Sequence, residues 1–72
     1  MVGTIKKVNR QGAGIIAVTD GSLVPYVSSD VLSNRGLQPG ERVFFSLRIV
    51  KGNTFAQNIM AMREQRNNTN LH

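Results

Sequence analysis

Four carboxylates, one imidazole and no thiol are all that this chain offers to acid–base, nucleophilic or metal chemistry. They do not assemble into a site. Asp20 stands in Asp20-Gly21-Ser22, a turn sequence, and Asp30 follows Ser29 where a helical turn would be capped. Glu41 follows a Pro-Gly turn, Glu64 lies in a polar C-terminal stretch and His72 is the last residue. No Ser–His–acid set, carboxylate pair or ligand cluster can be built from them, so no catalytic residue, metal or cofactor is expected. Without cysteine there is neither a disulfide framework nor a thiolate zinc site. The chain reads as a non-enzyme.

The cations are more informative. Nine Lys/Arg against four Asp/Glu give a formal charge of +5, which biases association toward polyanions, nucleic acid before anionic membrane. The bland reading is solubility alone. Lys6, Lys7 and Arg10 crowd one short stretch, and Arg42 and Arg48 flank Phe44. In the functional reading these cations contact phosphates while Tyr26, its hydroxyl wet, stacks on a base. Otherwise the lysines are solvated charges that discourage strand-edge pairing, and Tyr26 covers the surface beside Pro25. Phe44 is read as exposed, available to a base or a protein partner, or else covered by the tail or a loop; Phe55 is ambiguous in the same way. Met60 and Met62 are read as packing residues rather than a binding surface.

Period-two hydrophobicity defines the elements that must position these residues. It is clearest over Arg42–Ile49, where Val43, Phe45, Leu47 and Ile49 form one apolar face and Arg42, Phe44, Ser46 and Arg48 the other. Strands are also expected over Val2–Val8, Gly14–Thr19, Leu23–Ser28 and Thr54 to about Met60. Asp20-Gly21-Ser22 would join the second and third as a hairpin, and Pro25 would confine the third to an edge. Ser29–Leu32 reads as a short helical turn. Residues 1–62 form one domain; residues 63–72 read as a polar, disordered tail. No run of about 20 apolar residues and no signal peptide is evident, which points to a cytoplasmic protein with no membrane partner. Five short strands suggest a small barrel, and strand pattern alone does not separate an OB-fold from an SH3-like one.

Several segments in order resemble the bacterial cold-shock domain. They are Gly3-Thr4-Ile5-Lys6-Lys7-Val8-Asn9, Gln11-Gly12-Ala13-Gly14-Ile15-Ile16, Asp20-Gly21-Ser22, Pro25-Tyr26-Val27-Ser28, Leu37-Gln38-Pro39-Gly40-Glu41-Arg42-Val43-Phe44-Phe45 and Ala56-Gln57-Asn58-Ile59. The resemblance implies a five-stranded antiparallel OB-fold barrel, with Ile5, Ile16, Val18, Val27, Val43, Phe45 and Ile59 filling its interior. It also implies single-stranded RNA or DNA lying across the first three strands. The aromatic platform of the family is mostly replaced: Lys7 stands for Trp, Ala13 and Ile15 for two aromatics, and Ser28 for His, while Tyr26 matches an aromatic position. Base–aromatic stacking is worth roughly 1–3 kcal/mol per base, so binding is expected to be weaker and more electrostatic. The residues expected at the nucleic-acid face are Lys6, Lys7, Arg10, Ile15, Tyr26, Ser28, Arg42, Phe44 and Arg48. A second expectation keeps the scaffold but not the ligand. Val8, Ala13, Ile15 and Tyr26 would then form an apolar patch for a protein partner or a second copy of the chain, with nucleic-acid binding lost.

Overall fold

The computed structural model describes residues 1–33 and 35–62. In chain order the strands are β1 (Val2–Val8), β2 (Gly14–Val18), β3 (Leu23–Tyr26), β4 (Arg42–Val50) and β5 (Asn53–Ala61), with a 3-10 turn, Ser28–Asp30, after β3. All five lie in one antiparallel sheet, ordered β3-β2-β1-β4-β5. The described residues are mostly β, and no described helix is long and apolar enough to cross a membrane. The reading of residues 63–72 as a tail falls outside the described residues.

Local chemistry sets the hairpins. The Asn9 carboxamide oxygen accepts the N–H groups of Gln11 (2.9 Å) and Ala13 (3.1 Å), closing the β1–β2 loop. Asp20 does the same after β2, accepting the Ser22 hydroxyl (2.6 Å) and N–H (2.9 Å). Those bonds, the hydroxyl first, hold the Asp20 carboxyl below its ordinary range. Between β4 and β5, Lys51 and Gly52 have φ of 52° and 81°, the doubly positive pair a two-residue hairpin turn requires.

The core comprises Ile5, Ile16, Val24, Tyr26, Leu37, Val43, Phe45, Ala56, Ile59 and Ala61. Fully burying a side chain such as Ile5 or Ile16 contributes roughly 1.5–3 kcal/mol. Two register shifts let the strands supply it. On β1, Ile5 pairs with Ile16 but Lys7 pairs with Ile15, leaving one extra residue on β1. Ile5-Lys6-Lys7-Val8 therefore runs in, out, out, in: both lysines are exposed, and Val8 packs against the core. On β5 the extra residue lies between Gln57 and Met60, where Asn58 has φ 53°. Ala56 and Ile59, three residues apart, are consequently both buried.

β3 and β5 are the two ends of the sheet, and no ladder joins them among the described residues. They nevertheless pack against each other, and just beyond β3 a parallel bridge joins Val31 to Ile59, where the Leu32 N–H donates to the Ile59 carbonyl (2.7 Å). Pro25 does lie on an edge strand, where its missing N–H is least costly.

Several expectations are corrected. β3 stops at Tyr26, so Val27 sits outside the core at 40% exposure, and Ser28 opens the 3-10 turn instead of ending a strand. That turn has no side-chain cap; Asp30 pairs with Arg48 at 2.9 Å. Leu47 and Ile49 share a face with Val43 and Phe45 yet are exposed, at 41% and 72%. β1 pairs with β4 only from Arg42 to Phe44, so the upper half of β4 has β5 as its one ladder neighbour among the described residues.

Candidate functional site

Cross-strand partners share a face of a sheet, so the register places the outer side chains. Lys7, Ile15 and Pro25 form one row across β1, β2 and β3. Arg42, Thr4, Ala17 and Leu23 form a parallel row. The β1 bulge adds Lys6 beside Lys7, and the Asn9-pinned loop holds Arg10 exposed at its tip.

These elements border an open groove of about 620 Å³, walled by Pro39 and Pro25 and lined by Lys6, Lys7, Val8, Asn9, Ala13, Gly14, Ile15 and Tyr26. Pro39 is carried there by its own loop: the Gly40 N–H donates to the Ile5 carbonyl and the Ile5 N–H to the Glu41 carbonyl, both at 2.8 Å. The lining is largely apolar with lysines at the rim.

Charge is unevenly used over the surface. Arg35 pairs with Glu41 at 3.0 Å and Arg48 with Asp30 at 2.9 Å. Among the described residues, Lys6, Lys7, Arg10, Arg42 and Lys51 make no ion pair. The described acids, Asp20, Asp30 and Glu41, are thus held in a turn and two pairs. No group of three His, Cys, Asp or Glu side chains comes together among the described residues.

Of the residues singled out in the sequence, Lys6, Lys7 and Ile15 meet in the groove, and Arg10 and Arg42 stand nearby on exposed backbone. Phe44 is half-buried one strand away, between Val2 and Met60. Arg48 sits farther along β4, bonded to Asp30. Ser28 lines a separate cavity of about 230 Å³ with Gly12, Val31 and Leu37. Sequence reasoning missed Pro25 and Pro39 as groove walls; an exposed proline on an edge strand beside Ile15 was the available signal.

Tyr26 is the main correction. Its ring does not lie open with a wet hydroxyl: the residue is 2% exposed and belongs to the core. Parity explains this, since Pro25 pairs with Ile15 on the outer face and Tyr26 with Gly14 on the inner one. The hydroxyl is buried with no hydrogen-bond partner among the described residues. An unsatisfied buried donor costs about 1–3 kcal/mol. Tyr26→Phe is therefore expected to leave stability unchanged or raise it by about 1 kcal/mol in urea denaturation at neutral pH. Burial also pushes the Tyr26 pKa above its ordinary value near 10.0. The neutral phenol is the form the fold prefers, so its contribution is complete below the unfolded-state pKa and is lost as pH rises through the folded one. Wild type should lose stability relative to Tyr26→Phe only above about pH 10. A gap between the two that stays constant through alkaline pH would show that the phenol is not buried.

Neither a protein-family model nor a curated protein matches the chain.

Proposed function

We propose that this chain is a cold-shock-type OB-fold domain that binds single-stranded nucleic acid without catalysis, mainly through charge. The observation that carries the reading is the groove on the outer face of β1–β3, where Lys6 and Lys7, without an ion pair among the described residues, stand beside an apolar floor made by Ile15 and Pro25. Phosphates would be held by Lys6, Lys7 and Arg10, with Arg42 extending the track. Bases would lie against Ile15 and the two prolines. The strand order, the β3 edge and the short turn leading to Val31 agree with the OB-fold assignment, with the Val31–Ile59 bridge at the point where such a barrel would close. In this reading the protein works in the cytoplasm, where single-stranded RNA is abundant.

An aliphatic floor stacks less strongly than aromatic rings, so electrostatics takes the larger share of the affinity. With about three phosphates neutralised, log K should fall against log salt with a slope near −2, roughly twentyfold for a fourfold rise in salt. Anisotropy of labelled single-stranded RNA and DNA, titrated with protein at several salt concentrations, measures this directly. Absence of saturable binding even at low salt would sink the proposal.

A further inference from the structure

Asn9 closes the β1–β2 loop with only half of its carboxamide. Its Oδ1 accepts the N–H groups of both Gln11 (2.9 Å) and Ala13 (3.1 Å). Two backbone donors converging on one atom identify it as the oxygen, because the amide nitrogen only donates. The amide N–H2 at the other end has no partner among the described residues. The ladder runs one step past β1, where the Asn9 N–H donates to the Ala13 carbonyl (2.8 Å). Val8 packs inward, so Asn9 falls on the outer side with Lys7, and it lines the groove.

The side chains of the groove therefore offer a ligand donors and no acceptor. Lys6 and Lys7 carry ammonium groups, which donate and never accept. No carboxylate lies in the lining. The Asn9 oxygen is taken up by the loop, and the Tyr26 hydroxyl is buried.

Nucleobases differ in this same respect. Asparagine ordinarily reads adenine through two bonds, accepting from N6 and donating to N7. That mode is closed to Asn9, whose acceptor is already occupied. Guanine presents two acceptors, O6 and N7, on the corresponding edge, and thymine or uracil presents O4. Adenine and cytosine present an amino group there, for which no side chain of the groove has an acceptor.

We propose that Asn9 gives the groove a base preference, for guanine, uracil and thymine, which carry an oxo group at this edge, over the amino bases adenine and cytosine. The proposal rests on the nucleic-acid reading and adds selectivity to it. Lysines at the rim hold phosphates and are indifferent to sequence. Asn9 is uncharged and stands beside Ala13 at the end of the apolar floor, where a base edge would meet its N–H2.

The test exchanges an amino group for an oxo group in the ligand. Two short, unstructured, labelled RNAs share one mixed sequence, and in the second every adenosine is replaced by inosine, which carries O6. In anisotropy titrations at matched salt, wild type should bind the inosine strand roughly two- to tenfold more tightly, the scale of one neutral hydrogen bond. Asn9→Asp keeps the oxygen that closes the loop, as Asp20 does in its own turn, and converts the free donor into an acceptor. Its charge weakens binding of both strands alike, so the ratio between them should fall to unity or reverse. Gln11→Glu adds the same charge in the same loop and should keep the wild-type ratio. Circular dichroism confirms that both variants are folded. Equal binding of the two strands by wild type overturns the proposal, and so does an Asn9→Asp variant that keeps the wild-type ratio. Absence of binding to either strand would instead overturn the nucleic-acid reading, and this preference with it.

Discussion

Gly14→Ala should lose about 3 kcal/mol of stability and about 15 °C in Tm, more than a side chain of one carbon ordinarily costs. A Cβ at Gly14 would run into the Lys7 carbonyl oxygen and lie 2.7 Å from the Tyr26 hydroxyl oxygen and 2.9 Å from Tyr26 Cε2. None of these can yield cheaply. The carbonyl belongs to the bulged stretch of β1, and the ring is locked in the core at 2% exposure. A domain of this size has only about 3–9 kcal/mol to lose, so the variant should keep about 0–6 kcal/mol and be at most half unfolded at 25 °C. Gly36→Ala is the control, because its Cβ would meet nothing within 4 Å and the change should stay within about 0.5 kcal/mol. Adding Tyr26→Phe to Gly14→Ala should recover the part of the loss due to the hydroxyl and leave the parts due to Lys7 and to the ring carbon. Thermal denaturation of the four proteins decides it. A Gly14→Ala variant melting within a few degrees of wild type would show that Tyr26 does not pack over this glycine.

That packing also shows which parts of the molecule its sequence discloses. Turns with their own chemistry are legible: Asp20-Gly21-Ser22 and Lys51-Gly52 state their geometry in their residue types, and the strands around them follow. What alternation cannot show is where its phase slips. One extra residue on β1 puts Lys6 and Lys7 on the same side, and one on β5 lets Ala56 and Ile59 both face inward. Two charges in succession between Ile5 and Val8 are a visible sign of the first slip. The second had only Asn58, a residue that tolerates positive φ, to mark it. The motif match placed Tyr26 outward, but phase on β3 is set by Ile15–Pro25 and Ile16–Val24 pairing, which turns Tyr26 inward. Leu47 and Ile49 fail for another reason. Alternation assigns them correctly to the core-facing side of β4, but coverage depends on how far β1 extends beside it, a non-local fact. The groove itself was half legible: its lysines and Ile15 stand out in the sequence, whereas Pro39 enters only through the bonds that tie its loop to Ile5.

Because the slip on β1 is what sets two lysines side by side, their joint removal has a larger expected effect on binding than any other surface change. If Lys6 and Lys7 each neutralise one phosphate, Lys6→Gln/Lys7→Gln removes about 1.4 from the salt slope. Extrapolated from molar salt to about 50 mM, that is a loss of roughly sixtyfold in affinity for single-stranded RNA or DNA, nearly all of it recovered at high salt where both proteins bind poorly. The fold should not suffer, since both side chains are exposed and neither makes an ion pair among the described residues. Lys51→Gln tests whether position matters or only net charge. It removes one charge from the β4–β5 turn, away from the groove, and should cost no more than about twofold, the scale of a long-range field screened over a Debye length near 10 Å. Anisotropy titrations of the three proteins at matched salt therefore separate a localised phosphate track from diffuse attraction. Equal losses per charge removed at Lys51 and in the lysine pair would mean that the groove has no special part in binding. A sixtyfold loss confined to the pair, with the slope flattened to about −0.7, would place the strand across β1 beside Ile15 and Pro25.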